Sequence, residues 1–335
     1  MVTILKTKSI YFNDVNLIPN LGCIKSRRDV PNELHRIIVS PMLAIVGETF
    51  TKEAAKLGLS IATPRFISMD NKIKLCALFA KNRISDKQSC FLSVGINEAK
   101  EDLEKLSHNK NHREILFDIA NGYVPQLEDK IKDVYNKIGL INSLMTGNVV
   151  TDIGVRNLAN NLNHYCNKLF IRVGIGNGSP CSSSDVAAIN RGQITELTEC
   201  SKEKKYFDKI RLVSDGGISK SGFCLKAFGA GANYCLMGGY FSKALEAETH
   251  ISGDGIYFGC ASEKQNKLAG LNKNSEGKEF KVDKEELKPL KSLVEELQGG
   301  IASGISYSGH SSVSEFIGNG TFEIKINSLP PKNRK

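Results

Sequence analysis

The sequence predicts a single-domain α/β protein with the fold of a (β/α)8 barrel, on three observations. The chain has 335 residues, which is long enough for such a barrel. Eight short apolar runs alternate with amphipathic stretches, and this alternation predicts parallel βαβ units. Glycine-rich or polar turns follow several of the runs, at the strand ends where a barrel carries its active site. An open, doubly wound parallel sheet is the alternative that the alternation also allows.

The apolar runs predict the strands, and the amphipathic segments between them predict the helices. The predicted strands, in order, are Ile37–Leu43, Leu57–Ala62, Phe91–Ile96, Ile115–Ala120, Leu140–Met145, Leu169–Ile175, Ile210–Ser214 and Tyr234–Met237. The predicted helices include Thr49–Leu57, Asn71–Ala80, Ala99–Ser107, Pro125–Ile138, Asp152–Leu162 and Ser221–Gly229.

The barrel is expected to span residues 1–327 as one catalytic domain. A stretch rich in Lys, Asn, Ser and Gly, at about residues 261–283, predicts a mobile flap. Residues 328–335 predict a loose basic tail.

The composition favours a cytoplasmic globular enzyme. No apolar run approaches the roughly 18 residues that a membrane span needs, and the N-terminus lacks the pattern of a signal peptide. Nine cysteines without a CxxC pair predict reduced thiols and neither a disulfide framework nor a zinc site. The net charge of +9 suits a nucleic acid or a phosphorylated small ligand. Because the lysines are scattered, a solvated surface is favoured over a nucleic-acid-binding face.

The segment GIGNGSPCSSS, from Gly174 to Ser184, carries a candidate nucleophile. It follows an apolar strand, and its glycines allow a tight turn with Cys181 at the tip. A thiol on a glycine-rich loop at the C-terminal end of a strand is well placed to attack a bound substrate. Taken alone, the segment also fits a surface loop with an incidental cysteine.

Two glycine pairs follow the last two predicted strands, in Asp215-Gly216-Gly217 and in Gly238-Gly239. Backbone N–H groups at such turns can cradle a phosphate, and the Asp215 carboxylate can accept hydrogen bonds from two ribose hydroxyls. Each pair alone also fits a plain strand-to-helix turn. Together with Cys181 they predict a nucleotide pocket that contains a nucleophile.

The chain resembles the IMP dehydrogenase/GMP reductase family in several blocks that follow the family's order. The resemblance runs from about Tyr11 to Ile324, and its blocks are DIANGY, TGNVVT, GIGNGSPCSSS, SDGGISKSG, KAFGAGANYCLMGG, SEGK and GGIASGISYSG. Two absences favour the reductase branch of the family over the dehydrogenase branch. Ala62 runs into Thr63 with no room for an inserted regulatory domain, and the flap lacks an arginine–tyrosine pair.

The resemblance implies NADPH-dependent reductive deamination of GMP to IMP and ammonia, in a potassium-dependent homotetramer. Cys181 as thiolate would attack C2 of the purine and leave a covalent thioimidate. Ser183 and Glu276 would relay the proton that lets the 2-amino group depart as ammonia. NADPH would then deliver a hydride to C2.

The resemblance also assigns binding residues. The substrate residues are Ser179, Asp215, Gly216, Gly217, Gly238, Gly239, Gly259, Cys260, Ala261, Lys273, Asn274, Ser275 and Gly277. The cofactor residues are Ser26, Arg27, Arg65, Asp118, Ile119, Ala120, Ile175, Gly176, Cys260, Asn272, Lys273, Ser303, Gly304, Ile305 and Ser306. Ser26 and Arg27 match a segment that reaches a neighbouring subunit's cofactor. The backbone carbonyls of Gly176, Gly178 and Cys181 match a site for a monovalent cation such as K⁺.

The chain departs from the family pattern around the predicted pocket. Serines replace two threonines, asparagine replaces a proline, Arg-Gly replaces Tyr-Pro, and alanine and lysine each replace an arginine. The positions concerned are Ser182, Ser183, Asn177, Arg191, Gly192, Ala302 and Lys273. Three alternatives therefore stay open: a reductase acting on dGMP or another guanine nucleotide, oxidation of IMP with NAD, and a nucleotide- or nucleic-acid-binding protein without activity.

Overall fold

Eight parallel strands close into a barrel in the computed structural model, which describes residues 8–108, 112–178, 186–259, 261–268, 270 and 277–325. The barrel strands are β2 (Ile37–Val39), β3 (Ser60–Ala62), β4 (Cys90–Val94), β5 (Glu114–Phe117), β6 (Ile141–Val149), β7 (Cys166–Val173), β8 (Ile210–Asp215) and β9 (Tyr234–Met237). Ile38 of β2 pairs with Ser60 of β3 and with Leu236 of β9, and this double pairing closes the sheet. The predicted barrel is confirmed, and the open sheet is excluded.

Helices on the outside of the barrel follow most of the strands. The longer ones are Glu48–Lys56, Met69–Asn82, Lys100–His108, Gln126–Ile138, Asp152–Leu162, Gln193–Ser201, Ser221–Gly229 and Leu290–Tyr307. Short helices span Glu248–Ile251, Glu263–Leu268 and Val313–Phe316. The six helices named from the sequence are all present, with small shifts of their bounds.

The helix Gln126–Ile138 shows why these segments are helical. Its buried residues Leu127, Ile131, Val134 and Ile138 recur every three or four positions, so they form one apolar stripe against the barrel. The helix ends at Gly139, whose φ of +76° is a conformation that glycine adopts without steric strain.

Strand β6 is longer than its predicted range, Leu140–Met145. The TGNVVT motif was expected to follow the strand, but the strand continues through Thr146 to Val149. Gly147 and Val149 pair with Arg172 and Val173 of β7, so the partner strand holds these residues in the sheet. A glycine within a polar run is typical of a turn, and only the pairing with β7 reveals a strand.

Part of the predicted flap at residues 261–283 has regular structure. It contains the helix Glu263–Leu268 and strand β11 (Glu279–Lys281). Strand β11 pairs antiparallel with β10 (Ile256–Phe258), so that Tyr257 lies opposite Phe280. The backbone hydrogen bonds of this hairpin order the C-terminal part of a segment whose composition is typical of a loop. Residues 269 and 271–276 lie outside the described residues.

The first and last described segments of the chain meet at a second small sheet. Strand β1 (Val15–Leu17) pairs antiparallel with β12 (Phe322–Ile324). The predicted basic tail lies outside the described residues, and the domain limits stay a prediction. In the ranges described above, no helix combines the length and the apolar character needed to cross a membrane.

Side chains fill the interior of the barrel. Each of the eight strands contributes one residue to this inner cluster, namely Ile38, Ala62, Phe91, Leu116, Met145, Phe170, Val213 and Leu236. The rings of Phe91 and Phe170 pack edge to face, with their centroids 5.1 Å apart. Because the interior is packed, a ligand can enter only at an end of the barrel.

Replacement of the fully buried Phe91 by alanine is expected to lower the free energy of unfolding by about 3–5 kcal/mol, because it leaves a cavity inside the barrel. Chemical denaturation followed by circular dichroism measures this loss. The control is Leu21→Ala at a residue that is 90% exposed, where a change within about 0.5 kcal/mol is expected. Equal effects of the two substitutions would contradict the packed interior.

Candidate active site

A cavity of about 980 Å³ opens at the C-terminal ends of the barrel strands. In a parallel barrel all these ends lie on one face, so residues far apart in sequence converge there. Residues that follow β2, β3, β5, β7, β8 and β9 line it, among them Pro41, Arg65, Ile119, Gly174, Gly216 and Gly238. The cavity therefore occupies the position at which such barrels carry their active sites.

Most of the described residues that were predicted to bind substrate, cofactor or a monovalent cation line this one cavity. They are Arg65, Asp118, Ile119, Ala120, Ile175, Gly176, Gly178, Asp215, Gly216, Gly217, Gly238, Gly239, Gly259, Ala261 and Gly277. The DGG and GG turns thus lie in the same cavity as the first residues of the Cys181 loop.

Nine predicted site residues lie outside the described residues. They are Ser179, Cys181, Ser183, Cys260, Asn272, Lys273, Asn274, Ser275 and Glu276. Their described neighbours in sequence, Gly178 and Gly277, both line the cavity. The roles of the nine residues stay predictions.

A buried charge cluster forms one wall of the cavity. Arg172 donates from Nε to Oδ2 of Asp215 and from Nη1 to Oδ1 of Asp118, at 2.8 Å in both cases. The side chains of all three residues are at most 15% exposed. Burial opposes the charge of Arg172, but the carboxylates of Asp215 and Asp118 raise the pKa of its guanidinium above the usual range. Arg172 therefore stays charged and joins the ends of β5, β7 and β8.

Asn148 of β6 extends the cluster. Its Nδ2 donates to Oδ2 of Asp215 at 2.7 Å and to the carbonyl of Gly174. Its buried Oδ1 has no hydrogen-bond partner among the described residues. Asp215 was expected to bind two ribose hydroxyls, but its Oδ2 already accepts hydrogen bonds from Arg172 and Asn148. Oδ1 of Asp215 is therefore the oxygen that is available to a ligand.

The backbone at the end of β7 lies very close to that of β8. A Cβ on Gly174 would be 2.1 Å from the carbonyl oxygen of Asp215, and Gly174 has a φ of +133°. Only glycine fits this position. Gly216 and Gly217, with φ of +91° and +75°, continue the chain around the cavity in conformations that other residues rarely adopt.

A second cluster lies beside the start of the Cys181 loop. Nδ2 of Asn177 donates to Oε1 of Glu196 at 3.1 Å and to the carbonyl of Arg191 at 3.2 Å. Glu196 is 1% exposed. Burial raises the pKa of its carboxyl well above the usual range, although the nearby Arg191 opposes this shift. The cluster thus places a carboxyl that favours its neutral form directly behind the cavity wall.

Two predicted cofactor segments meet each other and do not line the cavity. Nη1 of Arg27 donates to Oγ of Ser303 at 3.1 Å, on the helix Leu290–Tyr307. Ile305 on this helix is fully buried in the core, and Gly304 packs against Leu225. Neither Gly304 nor Ile305 lines the chain's own cavity. Contact of Ser26 and Arg27 with a neighbouring subunit's cofactor stays a prediction, and so does the binding of cofactor by Ser303 and Ser306.

Several cavity residues were missed in the sequence. Asn148 lies inside the TGNVVT motif. Arg172 lies within the apolar run KLFIRV, and a charged residue in such a run indicates a buried ion pair. Gln193 and Lys243 also line the cavity. Gln193 matches a glutamine of the family pattern and directly follows Arg191-Gly192, whereas nothing in the sequence context of Lys243 distinguishes it from an ordinary surface position.

Comparisons with known proteins find similarity over nearly the whole chain. A family model described as the IMP dehydrogenase / GMP reductase domain matches residues 12–328. The chain is 29% identical to GMP reductase 1 of Homo sapiens over 93% of each chain. It is 26% identical to GMP reductase of Onchocerca volvulus, over 96% of this chain and 92% of the relative. It is 29% identical to GMP reductase of Lactobacillus acidophilus, over 89% of each.

Removal of the cation from the charge cluster should destabilise the protein strongly. Arg172→Met is expected to lower the free energy of unfolding by about 3–5 kcal/mol, because it leaves two buried carboxylates without a cationic partner. The control is Lys74→Met, which breaks an exposed ion pair with Glu48 and should cost about 1 kcal/mol or less. Chemical denaturation of both variants measures the difference, and equal losses would contradict the role given to Arg172.

The buried carboxyl of Glu196 should reveal itself in the pH dependence of stability. Because the pKa of Glu196 is raised in the folded protein, the wild type should lose stability relative to Glu196→Gln as pH rises above about 4.5. The loss continues up to the raised pKa, at no more than about 1.4 kcal/mol per pH unit. Denaturation of both proteins between about pH 4 and pH 9 measures it.

The control for this experiment is Glu199→Gln, where the sign is opposite. Hydrogen bonds from Arg191 lower the pKa of Glu199, so its contribution is present above the unfolded pKa and disappears as pH falls through the folded pKa. A stability difference between wild type and Glu196→Gln that does not change with pH would show that Glu196 is ionised in the folded protein.

Proposed function

The chain belongs to the IMP dehydrogenase/GMP reductase family, a family of oxidoreductases, and we propose that it catalyses the NADPH-dependent reductive deamination of GMP to IMP and ammonia. One observation carries the proposal: the DGG turn, the GG turn and the start of the Cys181 loop line a single cavity at the active-site end of the barrel. Similarity to GMP reductases over about nine-tenths of the chain supports the reductase over the dehydrogenase.

GMP would bind with its phosphate and ribose against the glycine turns. The backbone of Gly216, Gly217, Gly238 and Gly239 supplies N–H groups for the phosphate, and Oδ1 of Asp215 accepts from ribose hydroxyls. Ser179 and the two segments around Gly259–Ala261 and Lys273–Gly277 would surround the base. The volume of about 980 Å³ is at the upper end for a ligand pocket, which suits a nucleotide together with a nicotinamide.

A further set of cavity residues fits a nicotinamide nucleotide. Arg65 lines the cavity, and its Nη1 donates to the backbone carbonyl of Asp118. Its guanidinium supplies positive charge for the phosphates of the cofactor, and Ile119, Ala120, Ile175 and Gly176 provide an apolar and backbone surface beside it. When bound, NADPH supplies the hydride that reduces C2 of the purine.

The chemistry of the chain's own residues centres on Cys181. Its thiolate attacks C2 of GMP, and the bond from C2 to the 2-amino nitrogen breaks. Ser183 and Glu276 pass a proton to that nitrogen, which leaves as ammonia, and a thioimidate at C2 remains. After C2 has been reduced, the C2–sulfur bond breaks, the thiolate is regenerated and IMP departs. Covalent capture divides one difficult displacement into two easier steps.

We also propose a K⁺ ion at the carbonyls of Gly176, Gly178 and Cys181, a homotetramer and a cytoplasmic location. Among the described residues, no group of three His, Cys, Asp or Glu side chains could hold a metal ion. Backbone carbonyls are the donors that suit K⁺, and Gly176 and Gly178 lie together at the cavity wall. Contact of Ser26 and Arg27 with the cofactor of a neighbouring subunit requires an oligomer.

The proposed reaction predicts oxidation of NADPH that depends on GMP and releases IMP and ammonia in equal amounts. Absorbance at the nicotinamide band, with GMP, with dGMP and without nucleotide, measures it in the presence of K⁺ and a reductant. Cys181→Ala should reduce the rate to background, because the variant lacks the nucleophile.

Turnover with dGMP alone would change the substrate and keep the mechanism. No turnover with either guanine nucleotide would overturn the proposal, and reduction of NAD with IMP would then identify a dehydrogenase. GMP binding without any turnover would indicate a nucleotide-binding protein.

A further inference from the structure

The two ends of the Cys181 loop are joined by a side-chain hydrogen bond. Nδ2 of Asn177, which lines the cavity, donates to the carbonyl oxygen of Arg191, fourteen positions later in the chain. The same Nδ2 donates to Oε1 of Glu196 on the helix Gln193–Ser201. Asn177 precedes Cys181 by four positions. The tie therefore lies at the base of the loop that carries the proposed nucleophile.

The far end of the loop is anchored through Arg191. Its Nη1 donates to the carbonyl of Val150, at 2.7 Å, and to Oε1 of Glu199, at 3.0 Å. Its Nη2 donates to Oε2 of Glu199, which makes the ion pair bidentate. The side chains of Arg191 and Glu199 are 14% and 28% exposed, so water screens the pair only partly. The end of the loop is thus fixed to the segment that follows β6 and to the helix Gln193–Ser201.

Glu196, a buried residue of the helix Gln193–Ser201, is the third residue of this arrangement. It is almost fully buried, and its Oε2 has no hydrogen-bond partner among the described residues. Arg191, Asp215 and Cys200 are the charged or titratable groups that act on it. Burial favours the neutral acid at this position, and a neutral carboxyl keeps a carbonyl oxygen that can accept from Asn177.

We propose that Asn177, Arg191 and Glu196 form a clasp that positions Cys181 against the bound nucleotide. Two of the three residues, Asn177 and Arg191, occupy positions where this chain departs from the family pattern. A proline at position 177 would fix φ, whereas asparagine leaves it free. The hydrogen bonds of the Asn177 side chain restrict the backbone at this position instead.

The catalytic part of this inference rests on the proposed function. Asn177→Ala and Glu196→Leu should each lower kcat by about 10- to 100-fold, because a nucleophile displaced by about 1 Å loses rate on that scale. KM for NADPH should change by less than about threefold, since neither Arg65 nor Asp118 is affected. Glu196→Gln keeps the accepting carbonyl and should keep kcat within about threefold of wild type.

A second measurement does not depend on catalysis. Hydrogen–deuterium exchange of peptides within residues 178–190 should be faster in Asn177→Ala and Glu196→Leu than in wild type. It should be unchanged in Glu196→Gln. Thr198→Ala, at an exposed position on the same helix, is the matched control and should alter neither exchange nor kinetics. If Glu196→Leu does not fold, Asn177→Ala serves as the test, because it removes the same hydrogen bond from the side of the loop.

The clasp would be supported by faster exchange and a lower kcat in Asn177→Ala and Glu196→Leu. In Glu196→Gln, exchange and kcat should both stay near the wild-type values. Unchanged exchange in Asn177→Ala would overturn it, and so would faster exchange with an unchanged kcat, because the contact would then be structural only. If the wild type does not reduce GMP, the proposed function fails. In that case exchange alone decides: faster exchange in Asn177→Ala supports the clasp, and unchanged exchange overturns it.

Discussion

The two salt bridges of Arg172 are the interaction on which the rest of the site depends. Arg172 lies on β7 and binds Asp118 after β5 and Asp215 at the end of β8. Asn148 on β6 binds the same oxygen of Asp215. Buried charges are tolerated only when they are paired and hydrogen-bonded. The ends of four neighbouring strands are therefore held in one arrangement, in which the residues proposed to contact the substrate ribose and the cofactor share a single cation.

Close backbone approach makes this arrangement possible. Gly174 lets the end of β7 lie against Asp215, and the chain can then turn into the Cys181 loop beside the DGG turn. Hydrogen bonds from Asn177 to Arg191 and Glu196 join the two ends of that loop. The charge cluster thus sets the wall of the cavity, and the proposed clasp sets where the nucleophile meets it. Each depends on buried polar groups whose hydrogen bonds lie within the protein.

The sequence was sufficient for features that arise from local patterns. All eight barrel strands follow from short apolar runs, and the turns DGG and GG follow from glycines at their ends. Features that depend on pairing across the chain could not be predicted. Gly147 lies in a strand only because Arg172 pairs with it. Arg27 and Ser303 are 276 positions apart, and Asn177 reaches Glu196 only after the chain has passed through the Cys181 loop and into a helix. The helix Leu290–Tyr307 was not among the helices named from the sequence, because the adjacent Gly299 and Gly300 weaken its helical pattern.

Isotope labelling follows the proposed transfer of hydride to C2 of the purine. The enzyme would be incubated with GMP carrying ¹⁵N at the 2-amino group and with NADPH deuterated at the transferable position. Hydride transfer to C2 predicts IMP with one deuterium at C2 and one labelled ammonia for each NADPH oxidised. Labelled ammonia without deuterated IMP would indicate hydrolysis, and unlabelled IMP or no reaction would equally contradict the account.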